Sequence, residues 1–145
     1  VVSVLARNYK VLAEKKNIVL HDDIASSLMV FSDRYYSNRI FDNLLSNAIK
    51  FSSENKNVFI KAQNDGVWVV VEVSDEGPGI SEEDQKKLYK KFQTLSARPT
   101  AGETSTGIGL SVAKALADKI GAQLTCISAL DEGTTFTVRI RKGKN

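Results

Sequence analysis

Asn43, Asn47 and Lys50 carry the side-chain types needed to hold a metal ion and a phosphate, and they recur at helical spacing. Steps of three and four residues bring helical side chains together, so these residues share a stripe with Arg39. Asparagine is a poor helix former, and Glu or Lys would serve a merely solvated face better. Two asparagines one turn apart therefore read as oxygen donors aimed at something. An amide carbonyl can ligate a hard cation such as Mg²⁺, and a nearby ammonium can neutralise phosphate.

A second constellation, Asp75-Glu76-Gly77-Pro78-Gly79-Ile80, follows a β-rich run. Gly and Pro punctuate many plain turns. Here the turn is also opened by a carboxylate, which can accept from the exocyclic amine of adenine but finds no donor in guanine's carbonyl. Gly77 and Gly79 would let backbone approach a planar ring. The two constellations together, in this order, point to nucleotide binding.

Two further stretches bear on the same chemistry. Thr104-Ser105-Thr106-Gly107-Ile108-Gly109-Leu110 leads into a helix, where free N–H groups and the helix dipole favour phosphate. It lacks P-loop spacing, and Val112 stands where a dinucleotide fingerprint needs its third glycine. Gly133-Thr134-Thr135-Phe136 is a turn entering a strand, from which the Thr135 hydroxyl could reach a base. His21, beside Asp22 and Asp23, reads as a surface residue following a strand.

The elements that must position these residues follow from periodicity and turn chemistry. Residues 1–16 have Leu5, Tyr9, Leu12 and Ala13 at helical spacing. Residues 18–20 and 28–31 read as short strands. Ser32 or Asp33 can cap a long helix running to about Phe51, with Ile40, Phe41, Leu44, Leu45, Ala48 and Ile49 as its apolar stripe. Asn64-Asp65-Gly66 between β-rich residues 58–62 and 67–73 signals a hairpin. Ser81-Glu82-Glu83 opens a helix towards Phe92. Residues 93–106 are rich in Thr, Ser, Ala, Gly and Pro and read as a mobile loop. A helix from Gly107 to about Gly121 and strands at 124–128 and 134–140 close the chain, with a turn at Asp131-Glu132-Gly133. The predicted fold is an α/β (α+β) two-layer sandwich: a mixed, mostly antiparallel sheet with helices on one face.

Bulk properties set the frame. A chain of 145 residues is most simply one domain, burying roughly 70% of its unfolded surface. Its 42% hydrophobic and 26% charged residues are those of an ordinary globular protein. A net charge of +3, without an arginine-rich stripe, gives no case for nucleic acid. One cysteine and one histidine cannot build a disulfide or a Cys/His metal site, which fits a reducing, cytoplasmic setting. The chain starts at Val1 and reads as a fragment of something longer, so any membrane anchor of the full-length protein lies outside it.

The order Asn43-x-x-x-Asn47, Asp75-x-Gly77-x-Gly79, Phe92, Gly107-x-Gly109-Leu110 and Gly133-Thr134 resembles the catalytic ATP-binding domain of sensor histidine kinases, a branch of the GHKL group. The resemblance covers residues 16–141, making 17–145 the catalytic domain and 1–16 a helical segment that could end a connecting helix. It implies that Asn47 ligates Mg²⁺, that Asn43 orients phosphate and metal, and that Lys50 contacts phosphate. Phe51 would lie against the nucleotide and Asp75 would bind the adenine amine. Ile80, Phe92, Ile108 and Leu110 come with the same motifs, while Gly107 and Gly109 would border the phosphates below a flexible ATP lid at 93–106.

The implied activity is transfer of the γ-phosphoryl group of ATP to a histidine on a separate dimerisation domain, then to a response-regulator receiver domain. The isolated fragment is expected to be monomeric. The hydrolysing branch carries Glu where Asn43 stands, so Asn43 favours the kinase. Gln93 and Thr94 stand where a cation often follows Phe92, with Lys91 and Arg98 as the nearest substitutes. Two alternatives follow: a degenerate nucleotide-binding module without transfer, and a GHKL ATPase clamp.

Overall fold

The computed structural model describes residues 2–25, 34–85 and 109–141. Helix α1 (Val2–Lys15) leads into β1 (Val19–Ile24), followed by α2 (Arg34–Phe51), β2 (Asn57–Asp65) and β3 (Trp68–Asp75). A single turn, α3 (Glu82–Gln85), precedes α4 (Gly109–Lys119) and the closing strands β4 (Gln123–Ala129) and β5 (Gly133–Arg141). The expected strand at 28–31, the caps Ser32 and Asp33, the continuation of α3 to Phe92, the loop 93–106 and the helix start at Gly107 lie outside the described residues.

The five strands form one sheet in the order β1-β2-β3-β5-β4. Only β1 and β2 run parallel, and α2 makes the crossover that a parallel pair requires. The expected hairpin is present, with strands reaching further than the apolar runs: Asp65 pairs with Trp68, leaving Gly66-Val67 as the turn. Trp68 earns its place in the strand by packing, since Arg139 and Arg141 lie 5.2 and 5.4 Å from its ring centroid.

Period-two alternation sorts the sheet into a covered and an open face. Val58, Ile60 and Ala62 of β2, Val69, Val71 and Val73 of β3, and Phe136, Val138 and Ile140 of β5 are all buried. Their neighbours on the opposite face include Phe59 and, on β4, Ile127, which are 43% and 75% exposed. The stripe of α2 expected to bury does so through Ile40, Phe41, Leu44, Leu45, Ala48 and Ile49, joined by Ala113 and Ala117 of α4.

Helix α1 belongs to this same core, contributing Leu5, Ala6 and Ala13. It ends where Asn17 turns left-handed (φ 58°), with Ile18 N–H bonding to the Ala13 carbonyl and Asn17 N–H to that of Glu14. This Schellman closure satisfies carbonyls that the helix end would orphan. Lys16 then reaches α2, its Nζ donating to the carbonyls of Ile49 (2.8 Å) and Lys50 (3.1 Å), where a cation complements the C-terminal helix dipole. Among the described residues, no helix is long and apolar enough to cross a membrane.

Candidate functional site

A cavity opens between the C-terminal half of α2, the end of β3, the loop after it and the β4–β5 hairpin. It is lined by Asn47, Phe51, Asp75, Pro78, Gly79, Ile80, Leu110, Thr134 and Phe136. Residues from the Asn-bearing helix and from the Asp/Gly turn, far apart in sequence, therefore meet in one place. Asn43, Asn47 and Phe51 recur every four residues, so α2 turns them towards the same side.

Asp75 forms the floor. It is the last residue of β3, on the covered face with Val71 and Val73, and it pairs with Thr134 of β5. Its Oδ1 accepts a hydrogen bond from the Gly77 N–H at 2.9 Å. Burial pushes its carboxyl up to about 6, although N–H groups of Gly77 and Thr134 pull the other way. A carboxylate this desolvated gains from any further donor presented to it from the cavity. Burial, reinforced by Asp75, also pushes the neighbouring Cys126 thiol up to about 11, so that cysteine is an inert packing residue.

The wall carrying Pro78, Gly79 and Ile80 is fastened to the β4–β5 hairpin. Asp131 N–H donates to the Pro78 carbonyl (2.7 Å), and Ile80 N–H donates to Ser128 Oγ (2.7 Å). Gly79 sits at φ 77°, and a Cβ there would lie 1.9 Å from the Ala129 carbonyl oxygen. Gly133, at the start of β5, has the same problem, at φ 86° with a Cβ position 2.1 Å from the Asp75 carbonyl oxygen. Gly79 was expected for its closeness to a ligand ring. The chain's own packing already requires it.

Asn43 lies one turn before Asn47. Its Nδ2 is buried and has no hydrogen-bond partner among the described residues. A buried amide donor left unpaired is costly, and an acceptor such as a phosphate oxygen would offset that cost, but Asn43 is not itself among the residues lining the cavity. No group of three or more His, Cys, Asp or Glu side chains suited to a metal occurs among the described residues. Asn47, facing the cavity, offers the amide oxygen that a hard cation takes beside phosphate oxygens, and so fits Mg²⁺ held mainly by its nucleotide.

Other expected residues are placed differently. Lys50 does not line this cavity. It lies with Tyr9, Lys16, Ser46 and Ile49 along a second one, because it falls on the other flank of α2 from Phe51. Thr135 is on the open face of the sheet, its hydroxyl 2.8 Å from that of Ser74, so Thr134 is the threonine at the cavity. Gly77 adjoins the cavity through its bond to Asp75, and Gly109 opens α4 immediately before Leu110. Phe92, Gly107 and Ile108 lie outside the described residues.

Pro78, Thr134 and Phe136 also line the cavity; the sequence reading quoted each within a motif but gave none of them a role. Alternation along β5 carries the signal for Thr134, which shares parity with Phe136, Val138 and Ile140. His21 is a surface residue as expected, but within β1 rather than after it, stacked on Phe59 at 4.9 Å and with its Nε2 2.9 Å from Asn57 Oδ1.

Comparison with known proteins agrees with this geometry. The family described as histidine kinase-, DNA gyrase B- and HSP90-like ATPases matches residues 33–144. The chain belongs to that family.

Within it, the chain is 39% identical over 136 residues to the virulence sensor protein BvgS of Bordetella bronchiseptica, covering 90% of this chain and 11% of that protein. It is 34% identical over 121 residues to the swarming motility sensor protein RssA of Serratia marcescens, covering 83% of this chain and 25% of that protein. Among solved structures, the nucleotide-free catalytic domain of the histidine kinase ThkA superposes with a TM-score of 0.79 at 27% identity, covering 97% and 91% of the two chains. Full-length ShkA in complex with AMPPNP shares the fold, with a TM-score of 0.82 at 22% identity over 99% of this chain and 30% of that one. The chain thus spans a small share of the sensor proteins it matches in sequence and nearly the whole of an isolated kinase catalytic domain.

Proposed function

We propose that this domain binds Mg-ATP and supplies the γ-phosphoryl group to a histidine on a dimerisation domain of the same protein, for onward transfer to a response-regulator receiver domain. The observation that carries the reading is the opposition, across one cavity, of a desolvated carboxylate at Asp75 and the amide-bearing face of α2 at Asn47. Asp75 would accept from the adenine amine, with Thr134 beside it. Phe51, Ile80 and Leu110 would enclose the ring. Asn43 would donate its unpaired Nδ2 to a phosphate oxygen, and Asn47 would hold Mg²⁺, which when bound neutralises phosphate charge.

Transfer rather than hydrolysis is supported by the α2 stripe, which offers amides where a water-activating carboxylate would be needed. The only acid of α2, Asp42, is engaged by the Tyr9 hydroxyl. Phosphoryl transfer depends on positioning and charge neutralisation, so no covalent nucleophile is required of this chain.

The test is to incubate the chain with labelled ATP, Mg²⁺ and a separately supplied dimerisation domain. Label on the histidine, lost in Asn47→Ala, is the expected result. Steady phosphate release without transfer would establish an ATPase clamp instead, and binding without either reaction a degenerate module.

A further inference from the structure

Ser128 and Gln85 do not line the cavity, yet both hold its wall. Ser128 is on β4, paired with Thr134. Its Oγ receives the Ile80 N–H at 2.7 Å, lies 3.0 Å from the Gly133 carbonyl oxygen and 2.8 Å from Thr134 Oγ1. A hydroxyl has one proton and two lone pairs. With the proton on the Gly133 carbonyl, the lone pairs accept from Ile80 N–H and the Thr134 hydroxyl. Every bonding position of Ser128 is then used, and Thr134 Oγ1 keeps its acceptor sites.

Gln85 closes the same junction from α3. Its Nε2 lies 2.8 Å from the Ile80 carbonyl oxygen and 3.2 Å from that of Ser128. Both partners are acceptors, so the amide must present its NH₂ end to them. With the Asp131 N–H on the Pro78 carbonyl, three backbone polar groups of the Pro78–Ile80 segment are tied down, two to the β4–β5 hairpin and one to Gln85. The wall cannot shift relative to Asp75 and Thr134 without breaking at least one of these bonds.

We propose that Ser128 and Gln85 are positioning residues for the nucleotide base, fixing the Pro78–Ile80 wall at the spacing that Asp75 and Thr134 require. This rests on the nucleotide-binding reading above. Neither residue contacts the phosphate side of the cavity at Asn47, so their removal acts on the base subsite alone.

The test is calorimetric titration of the chain and of Ser128→Ala and Gln85→Ala with Mg-AMPPNP and, separately, with Mg-tripolyphosphate, alongside thermal melts. Each variant is expected to bind AMPPNP on the order of 5- to 10-fold more weakly, the effect of losing one positioning hydrogen-bond set, with tripolyphosphate affinity unchanged. Equal losses for both ligands, or no loss for AMPPNP in the half-buried Gln85 variant, overturn the role. Failure of the unsubstituted chain to bind AMPPNP overturns the nucleotide reading itself, and the positioning role with it.

Discussion

Asp75 and Thr134 are direct partners on the β3–β5 ladder, and the backbone of Thr134 supports the Asp75 carboxylate. This pairing places a desolvated acid and a hydroxyl side by side at one end of the cavity, held from below by the sheet. Replacing Asp75 by Asn keeps the shape and removes the charge. Asp75→Asn is expected to weaken ATP-analogue binding by about 1.5–3 kcal/mol, the scale of a charge-assisted hydrogen bond. Equal affinities measured by calorimetry would remove Asp75 from the base subsite.

The raised pKa of Asp75 gives two pH dependences. Ligand binding needs the ionised carboxylate, so analogue affinity falls as pH drops through about 6. Stability of the ligand-free chain runs the opposite way. A carboxyl whose folded pKa lies above its ordinary value of 3.8 contributes stability that is fully present below that value and is lost as pH rises through about 6. Asp75→Asn should flatten both profiles over this window. Profiles of unchanged slope in the variant would place the titration elsewhere.

The two threonines at 134 and 135 separate by face. Thr134→Val is expected to weaken analogue binding about 3- to 10-fold, one hydrogen bond's worth. Thr135→Val, on the open face beside Ser74, should leave binding within about twofold. A larger effect at Thr135 than at Thr134 would contradict the placement.

Gly79→Ala tests how the wall is built. A methyl 1.9 Å from the Ala129 carbonyl, at φ 77°, must displace either the loop or the hairpin. The expected cost is on the order of 2–4 kcal/mol in denaturant unfolding, with nucleotide absent. Unchanged stability together with weakened binding would restore the ligand-contact role that the sequence suggested for this glycine.

Much of this was legible in the chain because local signals and the global fold agree. The apolar stripe of α2, the hairpin at Gly66 and the mixed, mostly antiparallel sheet follow from period and turn chemistry, and the structure contains each of them. Asn47, Phe51, Asp75, Gly79, Ile80 and Leu110, grouped in the sequence by their motifs, line one cavity, although packing against Ala129 by itself already demands Gly79. What escaped was orientation. Whether Lys50 or Phe51 faces the cavity depends on how α2 is rolled on the sheet, and choosing Thr134 over Thr135 needs the register of β5. The roles of Ser128 and Gln85 were invisible for a related reason: each bonds to backbone atoms, which leave no trace in residue types.

The most direct test is calorimetric titration of the 145-residue chain with a non-hydrolysable ATP analogue, with and without Mg²⁺, in parallel with Asn47→Ala. The predicted result is binding that Mg²⁺ strengthens in the unsubstituted chain and leaves unimproved in Asn47→Ala. Absence of binding in both conditions, or an equal Mg²⁺ response in the variant, would contradict the assignment of this cavity to Mg-ATP.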